Sequence, residues 1–196
     1  MSRPLFLAAL IVGISYWVAD PHVAPGVLHV AWKGAGVGLL ALWAACSARS
    51  RDGWLLATVL AFGATGDVLL ELVGLVAGAI AFLAGHLVAV GLYLRHRRHD
   101  GAAAAAAILV ATPLVAALLS RDLGVAVYAT GLGAMAASAW ASRFPRAQVG
   151  AGALLFVLSD WLIFAHDPLP GLIWPTYFAG QALIAWGVAT TLEEQA

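Results

Sequence analysis

Charged side chains are scarce in this sequence. Lysine, arginine, aspartate and glutamate make up 10% of its 196 residues, whereas a typical soluble domain carries about 25%. The ten basic and ten acidic residues balance, which excludes the basic surface of a nucleic-acid-binding protein, so no nucleic-acid partner is predicted. Cys46 is the single cysteine and excludes an intrachain disulfide. Hydrophobic residues make up 63% of the chain and the mean hydropathy is +0.93, which predicts an integral membrane protein.

Eight apolar segments are long enough to cross a bilayer, for which a helix needs about 20 residues. The run from 53 to 94 is about twice that length, so we expect a turn near residues 74–78. The first segment has a basic start like that of a signal peptide, but no small-x-small cleavage site precedes Asp20, which favours a retained helix. The sequence therefore predicts an all-α polytopic membrane protein with a single membrane-embedded domain over 1–196. The predicted helices lie near 4–20, 27–46, 53–72, 77–95, 101–120, 122–142, 147–166 and 172–192.

The arginines indicate the orientation, because positive residues remain on the cytoplasmic side of a membrane. Eight arginines fall at the N-terminus or in the even-numbered connections, and Arg121 lies on the opposite side. This distribution predicts a multi-pass protein of the cell (inner) membrane with both termini in the cytoplasm. The eight arginines are Arg3, Arg49, Arg51, Arg95, Arg97, Arg98, Arg143 and Arg146.

A weak internal similarity links the two halves of the chain. A Gly-Asp pair followed by Phe-Leu-Ala-Gly-His resembles a Ser-Asp pair followed by Tyr-Phe-Ala-Gly-Gln; the segments are 66–67 with 82–86, and 159–160 with 177–181. Four predicted helices separate the copies, so both copies have the same orientation, as in repeats related by an axis along the membrane normal. We predict two parallel four-helix repeats, 1–98 and 101–196. Chance similarity between Ala- and Gly-rich helices is the alternative.

Five ionisable residues lie inside the apolar segments, where each charge costs about 2.5–3.5 kcal/mol on insertion scales. At a rise of about 1.5 Å per residue, polar residues from five helices lie roughly 9–14 Å below the predicted outer boundary. Five helices that bring polar groups to one layer predict a single polar pocket. The ionisable residues are Lys33, Asp67, Glu71, His86 and Asp160. The five residues at the common depth are Lys33, Asp67, His86, Asp160 and Gln181.

Asp67 and Glu71 are four residues apart and therefore share a helix face, where two charged carboxylates repel each other. One is expected to stay protonated, while Lys33 or His86 holds a second acid ionised. A proton donor beside a carboxylate is equipped to protonate a substrate and stabilise the resulting cation. Structural interpretations stay open: Lys33 as an interhelical salt bridge, Glu71 reaching the headgroups, and His86, Tyr177 and Gln181 as interhelical packing or hydrogen-bonding residues.

These motifs resemble those of the YhhN family of membrane proteins, whose members include the lysoplasmalogenases. The similarity extends over most of the chain. Lys33 departs from the family pattern, because it precedes Gly34 here whereas the family's early lysine usually precedes proline. The matching segments are Gly-Asp-Val-Leu-Leu at 66–70, Phe-Leu-Ala-Gly-His at 82–86, Gly-Ala-Leu-Leu-Phe-Val-Leu-Ser-Asp at 152–160 and Tyr-Phe-Ala-Gly-Gln at 177–181.

The resemblance implies hydrolysis of the vinyl ether bond of a lysoplasmalogen. The substrate is then a lysophospholipid of the lipid bilayer, and the products are a fatty aldehyde and glycerophosphoethanolamine or glycerophosphocholine. The resemblance implies no redox cofactor, and neither a cofactor nor a metal site is predicted. A vinyl ether resists bases and nucleophiles, but acid hydrolyses it through an oxocarbenium ion of the kind that two carboxyl groups flank in glycosidases.

The expected roles follow from this chemistry. Asp67 and Asp160 are expected to be catalytic, one as the general acid and the other stabilising the cation or activating water. His86 is expected to tune or relay protons. The expected substrate-binding residues are Lys33, Glu71, Tyr177 and Gln181. Lys33 would bind the phosphate or hold an acid ionised, and Tyr177 and Gln181 would position water or the head group.

Two other classes of function stay open. Buried acids, a lysine and repeated halves also occur in proton-coupled transporters of small molecules, although Pro113 and Pro175 do not form the paired broken helices of such carriers. A zinc-dependent lipid hydrolase would use His29, His86 and His166 with an aspartate, but no His-Glu-x-x-His motif is present. Gly- and Ala-rich faces pack within and between chains alike, so no oligomeric state is predicted.

Overall fold

Eight α-helices make up most of the part of the chain that the structure describes. The computed structural model describes residues 3–98, 100–166, 168–169 and 171–195, and no β-strand is present among them. A 3₁₀ turn at Asp20–His22 follows the first helix, and a π-helical turn at Arg146–Gly150 leads into the seventh. The helices are α1 (Arg3–Ala19), α2 (Val27–Ser47), α3 (Arg51–Leu72), α4 (Leu75–Arg95), α5 (Ala102–Ser120), α6 (Leu123–Trp140), α7 (Ala151–Phe164) and α8 (Ile173–Glu194).

The predicted all-α membrane fold is confirmed. In the described part of the chain, seven segments are long and apolar enough to cross a membrane, and one of them joins the π turn to α7. The protein is therefore a multi-pass membrane protein. The α8 helix has 22 residues but is not among these seven segments, because it includes polar residues such as Gln181. Half of its residues are buried, so fewer of its side chains need to be apolar for contact with lipid.

The turn expected between the third and fourth helices is confirmed, since α3 ends at Leu72 and α4 begins at Leu75. Gly74 has a φ of +119°, a conformation that glycine adopts readily and other residues adopt with strain. Gly78 lies inside α4, where an added Cβ would be 2.8 Å from the Leu70 Cβ. The missing side chain at Gly78 therefore allows α3 and α4 to pack closely just beyond the turn.

The chain divides into two compact units whose boundaries fall inside α4 and α8. Unit 1 comprises Met1–Val88 and Ala189–Ala196, and unit 2 comprises Ala89–Val188. The two parallel repeats, 1–98 and 101–196, stay a prediction.

In unit 1, α2 packs against both α1 and α3. Trp43 of α2 is fully buried, and its ring centroid lies 4.8 Å from that of Phe6 in α1. Toward the other end of α2, an added Cβ at Gly34 would lie 2.6 Å from Val68 Cγ2, whereas one at Gly38 would make an ordinary contact of 3.9 Å with Ala64. The α2–α3 contact is therefore tighter at Gly34, the residue after Lys33.

In unit 2, α5 packs along α6, and α7 lies against both helices. Pro113 lacks the backbone N–H that would normally bond to the Leu109 carbonyl. Gly133 of α6 fits against this site, because an added Cβ would lie 3.2 Å from the Leu109 carbonyl oxygen and 3.0 Å from Thr112 Cβ. A small apolar cluster of Ala116, Ala129 and Phe164 joins the three helices.

The α7–α8 contact depends on two glycines. An added Cβ at Gly180 would lie 2.6 Å from the Gly152 carbonyl oxygen, and one at Gly152 would lie 2.7 Å from the Gly180 carbonyl oxygen. Both obstacles are backbone atoms, which cannot rotate away as a flexible side chain can. Small residues allow membrane helices to approach this closely, so the two backbones are in direct contact.

The connection between α4 and α5 is joined to the connection between α6 and α7. Arg98 N donates a hydrogen bond of 2.9 Å to Ala141 O, and Arg143 N donates one of 2.7 Å to His96 O. The Asp100 carboxylate lies 3.2 Å from Arg146 Nη2, which adds an ion pair to the backbone bonds. We refer to these contacts as the loop clasp.

Candidate active site

Asp160 lies on the buried face of α7, with 7% of its surface exposed. Its Oδ2 accepts a hydrogen bond of 2.8 Å from the Tyr128 hydroxyl of α6. Its Oδ1 lies 3.5 Å from Ser159 Oγ, which also lies 2.7 Å from the Phe156 carbonyl oxygen and donates to it. Within the described part of the chain, no cationic side chain forms an ion pair with Asp160. A buried carboxyl group without a counter-charge inside a membrane helix is costly and indicates a functional site.

Contacts on both sides hold Asp160 in place. The Tyr128 ring packs edge-on against Phe164, with centroids 6.2 Å apart and planes at 84°. Trp161, the next residue after Asp160, donates from Nε1 to the Thr112 carbonyl of α5 at 3.3 Å. The helices α5 and α6 therefore fix the position of α7 at the level of the carboxyl group.

Tyr177 and Gln181 lie on α8 and are buried. Gln181 Nε2 donates a long hydrogen bond of 3.4 Å to Tyr177 Oη. The Tyr177 ring meets the Phe156 ring of α7 edge-on, with centroids 5.1 Å apart and planes at 85°. Because Phe156 is four residues before Asp160, both lie on one face of α7. The structure thus brings Tyr177 to within about one helical turn of Asp160, on the facing helix.

Lys33 and Glu71 form an ion pair between α2 and α3, with Nζ and Oε1 2.5 Å apart. Their side chains are 16% and 31% exposed, so the pair is partly screened. This contact matches the salt-bridge interpretation of Lys33. The ion pair also occupies the ammonium group of Lys33, which is the group that would bind a phosphate.

Asp67 and His86 are deeply buried, at 3% and 4% exposure. Each follows a glycine in the α3–α4 contact. An added Cβ at Gly66 would lie 2.8 Å from the Phe82 ring, and one at Gly85 would lie 3.1 Å from Phe62 Cβ. The two helices are therefore in close contact at the residues that precede both polar side chains.

A second polar group lies beside the Lys33–Glu71 pair on α2. His29 Nε2 is 2.7 Å from Asp20 Oδ1, and the Tyr16 ring packs at 5.1 Å from the His29 ring. His29 is four residues before Lys33 and shares its helix face. No group of three His, Cys, Asp or Glu side chains that could hold a metal ion is found in residues 3–98, 100–166, 168–169 and 171–195. The zinc alternative therefore has no ligand set there.

The predicted site residues divide between the units. In unit 2, Tyr177 and Gln181 contact each other on α8, and Tyr177 packs against α7, the helix that carries Asp160. Unit 1 joins Lys33 to Glu71. A single pocket that all of them share stays a prediction. Unit 1 contains Lys33, Asp67, Glu71 and His86, and unit 2 contains Asp160, Tyr177 and Gln181.

Sequence reasoning missed Tyr128, whose hydroxyl donates a hydrogen bond to Asp160. A signal was present, because Tyr128 lies five residues after the start of α6 and Asp160 lies four residues before the end of α7. Consecutive membrane helices run in opposite directions, so these positions have similar depth. A buried tyrosine hydroxyl usually has a hydrogen-bond partner, and a carboxyl group at that depth is a suitable acceptor. Asp20, the partner of His29, was also missed.

We expect the Lys33–Glu71 pair to contribute to stability through a favourable coupling. Removing one partner with Lys33→Met or Glu71→Gln leaves the other charge in partly apolar surroundings. The destabilisations of the two single variants are therefore expected to add up to more than the destabilisation of the double variant. Partial exposure places the coupling between surface and buried pairs, at about 1–2 kcal/mol. The free energies of unfolding of the three variants in detergent measure it. A coupling near zero would contradict a stabilising role of the pair.

Comparison with known proteins supports one assignment. The family model described as the YhhN family matches residues 28–188, which covers most of the chain. No curated protein and no solved structure is significantly similar to the chain. The matched region contains all seven predicted site residues as well as Tyr128. The chain therefore belongs to the YhhN family.

Proposed function

We propose that this protein hydrolyses the vinyl ether bond of a lysoplasmalogen within the membrane. The observation that carries the proposal is the state of Asp160: a buried carboxyl group with a hydroxyl donor on one oxygen and no cationic partner among the described residues. Such a group is suited to proton transfer, whereas a structural ion pair such as Lys33–Glu71 is already neutralised. Membership of the YhhN family supplies the substrate class.

The proposed reaction begins with a proton transfer from a carboxylic acid to the vinyl carbon farther from the ether oxygen. The π electrons form the new C–H bond, and the positive charge is shared by the other vinyl carbon and the ether oxygen. Water adds to that carbon and releases a proton to a carboxylate. The resulting hemiacetal loses the glycerol oxygen as an alcohol and leaves a fatty aldehyde. One water is consumed, and the enzyme regains its proton.

Asp160 and Asp67 are the proposed carboxyl groups of this sequence. A general acid contributes about 10²–10⁴-fold to a rate, and a carboxylate stabilises an oxocarbenium ion as in glycosidases. Tyr177 and Gln181 are proposed to position water or the head group, since their polar atoms lie on the helix facing Asp160. His86 is proposed to relay protons. Lys33 is proposed to bind the phosphate or to hold an acid ionised, and Glu71, its ion-pair partner, is a further proposed substrate-binding residue.

The direct test is aldehyde release by the purified protein in detergent micelles or liposomes. We expect aldehyde from a vinyl-ether lysophospholipid and none from the saturated-ether analogue with the same chain and head group, because only the vinyl ether forms an oxocarbenium ion by protonation. Equal release from both lipids would point to a different bond. No release by folded protein would contradict the proposal and favour transport or another lipid substrate.

A further inference from the structure

The hydrogen bonds around Asp160 distinguish its two carboxyl oxygens. Tyr128 Oη lies 2.8 Å from Oδ2, within the usual range for a hydroxyl hydrogen bond, and donates to it. The nearest polar partner of Oδ1 among the described residues is Ser159 Oγ at 3.5 Å, which is too long for a strong bond. One oxygen therefore has a strong donor, and the other has only a weak one.

Ser159 is only a weak donor to Oδ1. A serine hydroxyl has one proton to donate, and Ser159 Oγ lies 2.7 Å from the Phe156 carbonyl oxygen but 3.5 Å from Oδ1. The shorter bond takes most of the donor capacity of this hydroxyl, so Oδ1 is the more weakly bonded oxygen of the carboxyl group.

We propose that Tyr128 is a positioning residue that holds the transferable proton of Asp160 on Oδ1. This assignment rests on the proposed function and makes Asp160 the general acid, with Asp67 as the second carboxyl group. The donor on Oδ2 leaves Oδ1 as the oxygen that carries the proton. When that proton moves to the vinyl carbon, the O–H bond of Asp160 breaks and its electron pair stays on the carboxylate.

Tyr128 also favours the step itself. Its hydrogen bond to Oδ2 becomes charge-assisted once Asp160 is a carboxylate, and charge-assisted hydrogen bonds are about twice as strong as neutral ones. The interaction is therefore stronger after proton transfer than before it. Interactions that strengthen toward the transition state raise kcat rather than improve substrate binding.

The first test is kinetic and uses Tyr128→Phe, which keeps the ring contact with Phe164 and removes the hydroxyl. We expect kcat to fall about 10-fold while KM changes less than about twofold. Tyr93→Phe is the matched control, since Tyr93 is a buried tyrosine of unit 2 outside the site, and it should keep wild-type kcat. Unchanged kcat in folded Tyr128→Phe would overturn the positioning role.

The second test does not need turnover. Infrared spectra of the protein in liposomes should contain a carboxylic acid C=O band that disappears in Asp160→Asn. In Tyr128→Phe that band should move to higher wavenumber, because the C=O oxygen loses its donor, while Tyr93→Phe should leave it in place. A band that does not move in Tyr128→Phe, or the absence of any band assignable to Asp160, overturns the inference. A shifted band in a protein that releases no aldehyde would leave the proton assignment standing and contradict the proposed reaction alone.

Discussion

Asp160→Asn is expected to lower the rate of aldehyde release by at least about 100-fold. Asparagine has nearly the shape of aspartic acid, so α7 and the contacts of its residues Trp161 and Phe164 with α5 and α6 should persist. It cannot donate an acidic proton to the vinyl carbon, and general acid catalysis contributes about 10²–10⁴-fold. Initial rates with the vinyl-ether lysophospholipid, at equal amounts of folded protein, measure the loss.

The matched control for this change is Asp122→Asn. Asp122 caps α6, where its Oδ1 accepts a hydrogen bond of 3.0 Å from Val125 N. Asparagine is about as good as aspartate at a helix N-cap, so the control should keep the wild-type rate and stability. If Asp160→Asn retained a rate close to that of this control, Asp160 would not be the general acid.

Gly180→Ala is expected to destabilise the protein by about 1–3 kcal/mol, the usual cost of overpacking a tight contact. The added methyl group would lie 2.6 Å from the Gly152 carbonyl oxygen, so α7 and α8 must move apart. The same movement should separate Tyr177 from Phe156 and reduce turnover. The free energy of unfolding in mixed detergent micelles, together with the initial rate, measures both effects.

Gly91→Ala makes the same chemical change where space is available. No heavy atom would lie within 4 Å of the added Cβ at Gly91, which is an exposed position inside α4. Alanine is a better helix former than glycine by about 1 kcal/mol, so this control should be neutral or slightly stabilising. A Gly180→Ala variant as stable as Gly91→Ala would show that the α7–α8 contact is not tight.

Much of the fold could be predicted from the sequence because a bilayer imposes length and apolarity on each span. The ends of α2 and α4 fall within two residues of their predicted positions. The start of α7 was predicted four residues too early. The π turn at Arg146–Gly150 occupies that stretch, and its conformation depends on packing partners such as Gly187, where an added Cβ would lie 2.8 Å from Gln148 Cβ. Periodicity and composition carry no signal for such a contact.

The residues of the candidate site could be predicted from the sequence, but the contacts between them could not. Buried acids such as Asp160 are visible in a sequence because an apolar span makes each charge conspicuous. Which partner a side chain selects depends on helix rotation and spacing, which the sequence does not state. Gly34 is an example: a residue that departs from the family's usual proline brings α2 close to Val68 and sets Lys33 beside Glu71. The ion pair with an acid was therefore only one of several interpretations of Lys33 that the sequence allowed.

The two connections that form the loop clasp are synthesised at different times. Arg98 and Asp100 leave the ribosome before α5 and α6, while Ala141 and Arg146 follow them, so the partners of the first connection do not yet exist when it is made. Until the second connection is made, the polar groups of the first can bond only to water or to other parts of the chain. Closing the clasp then makes the α5–α6 hairpin a closed loop of chain. Translation past Arg146 is thus the earliest moment at which the nascent protein can close this connection.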